Sequence, residues 1–189
     1  MIGAVVLAAG EGSRFGGPKQ LAELDGRPLL EHVLVAAAAV PALERIVVVL
    51  GARAEEIRER VELHGASVVV AEDWAEGQAA SLRAGLTALD DVDGALILLG
   101  DQPGITPAAI EAVLSHFDGT RALRAVYDGA PGHPVVLPRA LVPAALELQG
   151  NEGARELLEA SGVRRIEVSH LCEPVDVDTP ADLDSLRGA

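Results

Sequence analysis

Lys19 is the only lysine of the chain, every other Lys or Arg position being arginine. It closes a glycine-rich run, Leu7-Ala8-Ala9-Gly10-Glu11-Gly12-Ser13-Arg14-Phe15-Gly16-Gly17-Pro18-Lys19. Glycine lets a backbone turn its N–H groups towards phosphate oxygens and approach them closely. A compact ammonium on a flexible stem can follow charge as it moves between phosphate oxygens, and the forked guanidinium of Arg14 suits a polyphosphate tail. A lone lysine is ordinarily a solvated surface residue, but the company of Gly10, Gly12, Gly16 and Gly17 favours phosphate. Two common nucleotide loops do not fit. A P-loop requires Lys directly after its closing Gly and then Ser or Thr, whereas Pro18 intervenes here and Gln20 follows; the dinucleotide fingerprint begun at Gly10 and Gly12 would need glycine where Phe15 stands.

Two acidic segments complement the loop. Asp101 ends the apolar run from Gly94, so its carboxylate is expected at the ligand edge of a sheet, where a hard divalent cation can bridge it to a phosphate. Asp178, in Val175-Asp176-Val177-Asp178, is expected at a comparable edge. Such carboxylates otherwise serve as loop or helix-start residues that bond backbone. The segment Glu76-Gly77-Gln78-Ala79-Ala80-Ser81 enters a helix through a glycine turn and offers Gln78 and Ser81 to a base or ribose, or is an ordinary loop-to-helix junction. His133, in Gly132-His133-Pro134, is the histidine best placed for function, although a lone histidine is more often structural. His32, His64, His116 and His170 have no ligand-like spacing and are assigned no chemistry.

The elements that must carry these residues read as alternating short apolar runs and longer Ala/Leu segments, the pattern of a mostly parallel sheet with helices on both faces. Strands are expected over Ile2 to Leu7, Arg45 to Leu50, Ser67 to Val70, Ala95 to Leu99, Ala122 to Tyr127, Pro134 to Leu137 and Arg165 to Val168. Helices are expected near Pro28 to Val40, Ala54 to Leu63, Gln78 to Leu89, Pro107 to His116, Arg139 to Leu148, Glu152 to Ala160 and Pro180 to Leu186. Thr106 and Thr179 each precede a proline, a strong helix start, and each follows one of the acidic segments. The turn-rich stretch Asp128 to Gly132 reads as a hairpin or loop.

Composition narrows the function classes. At 189 residues, 49% of them hydrophobic, the chain suits one compact domain over 1–189. A net charge of −14 argues against a nucleic-acid partner. Phe15, Trp74, Phe117 and Tyr127 are too few and scattered to stack bases, so the core must be aliphatic. Cys172 is the single cysteine, which fits a reducing compartment and predicts a cytoplasmic protein. No apolar run is long enough to cross a bilayer, and Met1 leads into an apolar stretch with no basic region ahead of it, as a buried first strand would.

The segments LAAGEGSRFGGPKQL, GQAASLRAGL, GDQP, GHPVVLPR, GNEGARELL and VDVDTPADL, in that order, resemble the motifs of the MobA-like NTP transferase family, and within it the molybdenum cofactor cytidylyltransferase branch. The resemblance runs from Ile2 to Leu186 and implies a single Rossmann-like, GT-A-like three-layer α/β domain with a mostly parallel mixed sheet. It implies that Leu7, Ala8, Ala9, Gly10, Gly12, Arg14 and Lys19 bind the nucleotide with Gly77 and Ser81, and that Lys19, Arg14 and Asp101 are catalytic. It also implies that Asp101 and Asp178 hold Mg²⁺. The Ala8-Ala9-Gly10 form is similar to the cytidylyl branch, so CTP is the implied donor and a molybdopterin-type cofactor the implied acceptor, with a molybdenum hydroxylase apoenzyme as a further partner. His133 and Asn151 are the acceptor candidates; the branch usually has Asp where Asn151 stands. Rival readings are another small phosphorylated acceptor, an NAD(P)H-dependent oxidoreductase on the same fold, and a non-catalytic carrier of molybdenum cofactor. The missing glycine at Phe15 and the lack of an acidic residue ending the second strand count against dinucleotide binding.

Overall fold

The computed structural model describes residues 1–150, 154–173 and 175–188. In chain order the strands are β1 (Ile2–Ala8), β2 (Glu23–Leu24), β3 (Arg27–Pro28), β4 (Leu43–Leu50), β5 (Ser67–Val70), β6 (Gly94–Leu99), β7 (Leu123–Tyr127), β8 (Ala130–Pro138) and β9 (Arg164–Glu167). The helices are α1 (Leu29–Ala38), α2 (Ala54–Arg60), α3 (Gln78–Ala88), α4 (Pro107–Leu114), α5 (Val142–Leu146), α6 (Arg155–Ala160) and α7 (Pro180–Arg187). Seven strands form one sheet in the order β5-β4-β1-β6-β8-β7-β9. Strands β5, β4, β1 and β6 are mutually parallel, β8 runs against both β6 and β7, and β9 returns parallel to β7. This is the mostly parallel, mixed α/β sheet expected from the alternation of elements.

The period of two along β1 separates the two cores. Ala4, Val6 and Ala8 pack with Leu30, Val33 and Leu34 of α1, Ile57 of α2 and Ile110 and Val113 of α4. Val5 and Ala9 pack on the opposite face with Leu82 and Leu86 of α3, Ala145 of α5 and Leu158 of α6. Val5, Val6, Leu96 and Val136 have essentially no solvent exposure, as central strands covered on both faces require. Helix α3 lies so close to the sheet that a Cβ on Gly85 would run into the Val5 side chain. Among the described residues no helix is long and apolar enough to cross a membrane.

Both proline-preceded helix starts form as expected. Thr106 Oγ1 accepts from Ala109 N at 3.2 Å, and Thr179 and Asp182 form a reciprocal capping box at the start of α7. Three expectations need correction. The helix expected over Arg139 to Leu148 is a 3-10 turn at Arg139–Leu141 followed by the short α5, because Pro143 has no N–H to continue an upstream helix and fits only a first turn. The strand expected over Pro134 to Leu137 is longer, since Asp128 and Gly129 take φ of 50° and 81° and close a tight β7–β8 hairpin. The β2–β3 ribbon was absent from the expected strands; Asp25 and Gly26 take φ of 52° and 76° there, the same two-residue turn chemistry.

Candidate active site

Strand β1 delivers the glycine-rich loop to the carboxyl edge of the sheet, where open α/β sheets bind ligands. Within the loop Gly12 takes φ of 70°, and a Cβ there would run into the Gly17 carbonyl oxygen. The Gly12 carbonyl accepts from Phe15 N at 2.9 Å, Gly16 N at 3.0 Å and Gly17 N at 3.3 Å. The second half of the loop is therefore coiled on Gly12. Gln20, which sequence reasoning did not single out, fixes the loop's start. Its buried amide nitrogen donates to Ala8 O at 2.7 Å and Gly10 O at 2.8 Å.

The 3-10 turn Lys19–Leu21 aims the Lys19 ammonium between two carboxylates. Lys19 Nζ lies 2.6 Å from Asp101 Oδ2 and 2.8 Å from Asp178 Oδ1, with the lysine side chain 14% exposed. Arg14 reaches the other oxygen of Asp178 at 2.8 Å. Burial works against the charged ammonium, yet the hydrogen bonds and charges of Asp101 and Asp178 outweigh it and hold the Lys19 pKa above the ordinary lysine value. The Lys19 hydrogen bond holds Asp178 below the ordinary aspartate value.

Asp101 and Asp178 are 77 positions apart in the numbering and are joined by backbone. Val177 N donates to Asp101 O at 3.0 Å, drawing the segment ahead of α7 against the end of β6. Buried Gln102 adds a bond from Nε2 to Asp176 Oδ1 at 2.7 Å. Asp182 Oδ2 then accepts from the N–H of Asp178 at 3.0 Å and of Thr179 at 2.7 Å, so the cap of α7 also sets the Asp178 backbone. One atom stays unanswered: Asp101 Oδ1 is buried without a hydrogen-bond partner among the described residues. A buried carboxylate oxygen without a partner beside a second carboxylate is the donor set of a hard divalent cation, so the residues present fit Mg²⁺.

A cleft of about 450 Å³ opens over this cluster, and Leu7, Ala8, Ala9, Gly10, Lys19, Gly77, Ser81 and Asp101 all line it. Gln78, Glu11, Ser13 and Trp74 join them. Gly77 takes φ of 122° where the 3-10 turn Trp74–Glu76 gives way to α3, which seats the buried Ser81 against the cleft. Gly12, Arg14 and Asp178 do not line the cleft; Asp178 is tied to it through Lys19, and Arg14 pairs with Asp178. His133 stands apart, in a smaller neighbouring cavity. Asn151 lies outside the described residues. His64, assigned no chemistry from spacing, lies 3.4 Å from Glu31, which also pairs with Arg27.

Known proteins resemble this chain in sequence and in fold. The MobA-like NTP transferase domain family matches residues 4–166. Nicotine blue oxidoreductase of Paenarthrobacter nicotinovorans is 36% identical over 187 residues, covering 93% of this chain and 91% of its own. Molybdenum cofactor cytidylyltransferase of Escherichia coli K12 is 25% identical over 183 residues, covering 96% and 93%. The crystal structure of Rv0371C complexed with manganese, from Mycobacterium tuberculosis H37Rv, superposes with a TM-score of 0.84 at 30% identity, covering 100% of this chain and 98% of that one.

Proposed function

The chain belongs to the MobA-like NTP transferase family, a family of nucleotidyltransferases, and from that premise we propose that residues 1–189 form one unit transferring CMP from CTP to a molybdopterin-type cofactor. The observation that carries the reading is Lys19 held between Asp101 and Asp178, with a buried, partnerless Asp101 oxygen beside it. In the reaction the terminal phosphate of the acceptor attacks the α-phosphorus of CTP, a new P–O bond forms, the bond to the β-phosphate breaks, and pyrophosphate leaves with the electron pair. A phosphate nucleophile is already anionic, so no protein nucleophile or base is required, and positioning and charge stabilisation do the catalysis. Lys19 turns from the carboxylates to the α-phosphate, Arg14 holds the polyphosphate tail, and the Gly10–Gly12 backbone cradles it. Gly77 and Ser81 border the base and ribose. Asp101 and Asp178 would hold Mg²⁺, which would supply neutralising charge to a bound triphosphate; the manganese complex of the mycobacterial neighbour supports a divalent cation in this fold. The cytidylyltransferase relative, together with the Ala8-Ala9-Gly10 form, supports CTP. His133 and Asn151 are assigned to the acceptor side. The cytoplasm is the expected setting, with a molybdenum hydroxylase apoenzyme as the receiver of the product.

A second reading has its own support. Nicotine blue oxidoreductase shares a larger fraction of residues with this chain than the E. coli cytidylyltransferase does. An NAD(P)H-dependent reductase would not need the paired carboxylates, and strand β4 ends in Leu50-Gly51 where a dinucleotide fold places an acid. Calorimetric titration of CTP, GTP, ATP and NADPH with and without Mg²⁺, on wild type and Asp101→Ala, separates the two. Magnesium-dependent CTP binding lost in the variant is the expected result. NADPH binding without CTP binding overturns the transferase reading, and mass spectrometry of the product identifies the acceptor.

A further inference from the structure

Arg124, His133 and Arg155 line a cavity of about 150 Å³ that shares Leu7 and Gln78 with the larger cleft. The sheet places two of them on one face. Arg124 of β7 is registered with Val135 of β8, and Val135 with Ile97 of β6. His133, two before Val135 along β8, lines the same cavity as Arg124, Val135 and Ile97. Helices α3 and α6 cover that face through Leu82 and Leu158, and the remaining walls are aliphatic.

The cavity holds a cation with one unanswered nitrogen. Arg124 Nη1 is buried and has no hydrogen-bond partner among the described residues, while its Nε donates to Gly132 O at 3.3 Å. A guanidinium carries five donors and cannot shed its charge, so burying one nitrogen without an acceptor is costly unless a ligand supplies it. Arg155 adds a second positive charge to the wall, and Arg165 acts on Arg124 in the same sense, with Glu159 as the opposing charge. His133 is largely buried and its imidazole, pushed by burial and then by the Arg124 charge to a pKa of about 4, is neutral at pH 7 and offers one N–H. Tyr127 pins that residue by donating to His133 O at 2.6 Å, and a Cβ on Gly132 would strike the Tyr127 ring. Asp101 lies near enough for its charge to act on the imidazole, which links the cavity to the carboxylate centre.

We infer that Arg124, with Arg155 and His133, forms an anion subsite that binds a phosphate group carried on an apolar or aromatic body; the subsite stands whether or not the transferase reading does. Arg124 supplies the charge and forked donors, the neutral His133 a single N–H, and the aliphatic walls the contact with the body.

The test is calorimetric titration of inorganic phosphate and of phenyl phosphate, without nucleotide or Mg²⁺, into wild type, Arg124→Met and Lys19→Met. Both probes are expected to lose at least tenfold in Arg124→Met, with phenyl phosphate the tighter of the two in wild type; a loss confined to Lys19→Met puts the phosphate on the glycine-rich loop and overturns the subsite. Equal affinity for both probes overturns the carried phosphate in favour of a free-anion site, and undiminished binding in Arg124→Met overturns the subsite. A measurement on wild type guards against misfolding of the variant: phosphate is expected to shift the His133 Cε1 proton resonance, assigned by its loss in His133→Asn, and an unmoved resonance overturns the subsite. Wild type that binds phenyl phosphate but not Mg²⁺–CTP would end the transferase reading and leave the subsite standing.

Discussion

Asp178 holds Lys19 with one carboxylate oxygen and Arg14 with the other, each at 2.8 Å, so one side chain near the end of the chain ties down both cations of a loop near its beginning. Removing a member of this group changes charge balance at the site as well as one contact.

Lys19→Ala should lower turnover by about 10² or more with the fold intact, since charge stabilisation at the α-phosphate is what the side chain is proposed to supply. It also leaves Asp101 and Asp178 facing each other without the ammonium between them. The melting temperature in metal-free buffer should therefore fall, and Mg²⁺ should restore more of it than in wild type. Steady-state kinetics and thermal melts with and without Mg²⁺ check both; near-normal turnover removes Lys19 from catalysis.

Gly12 and Gly10 should respond differently to alanine. The Gly12 backbone has φ of 70° and a Cβ there meets the Gly17 carbonyl, whereas nothing lies within 4 Å of a Cβ on Gly10. Strain of this kind costs about 1–3 kcal/mol, so Gly12→Ala should lower stability and weaken CTP binding about tenfold or more. Gly10→Ala should melt like wild type, and any loss of CTP affinity in it measures how closely the nucleotide approaches the backbone.

Thr179→Ala removes the hydroxyl half of the capping box, a change expected to cost about 1 kcal/mol. Because the same cap sets the Asp178 backbone, Mg²⁺-dependent CTP binding should weaken as well. Denaturant unfolding and calorimetry on one preparation show whether the two losses come together; a stability loss without a binding loss would separate the cap from the site.

Glu167 gives the pH dependence a definite sign. Ser169 Oγ donates to it at 2.6 Å, and the N–H groups of Ser169, Gly129 and Asp128 lie at 3.1 to 3.2 Å, which lowers its pKa from 4.5 to about 2. A depressed carboxyl pKa contributes stability that is complete above the unfolded value and lost as pH falls through the folded one. Wild type should therefore melt above Glu167→Gln at pH 7, and the difference should shrink between pH 4.5 and pH 2. A difference that does not change with pH would show that the charge on Glu167 is immaterial.

The strands and the helix starts were legible because their signals are local: alternation or continuous burial along β1, β4 and β6, and Thr-Pro before α4 and α7. Lys19 stood out by composition, and Asp101 by ending an apolar run. Gln20 and Gln102 did not, because their roles are purely tertiary. Each is a buried amide satisfying groups brought near by folding, and a lone glutamine beside apolar neighbours gives little warning of it. Arg124 was hidden for a related reason: a strand position is read for its apolar alternation, and only the pairing with Val135 shows which face carries the guanidinium. The β2–β3 ribbon left a trace in Asp25-Gly26, but two-residue strands have too little periodicity to be seen.

Only β8 and its pairing with β6 and β7 break the parallel run of the sheet, and this gives the molecule a division of labour. The glycine-rich loop and Asp101 follow strands, whereas His133 lies near the beginning of one, just after the Asp128–Gly129 turn. The chain thus meets its ligand edge in two opposite directions, and the hairpin can lengthen or shorten without passing through the loop that holds Lys19. A scaffold built this way can exchange one chemical customer while keeping the other, so relatives with very different names can share most of their architecture.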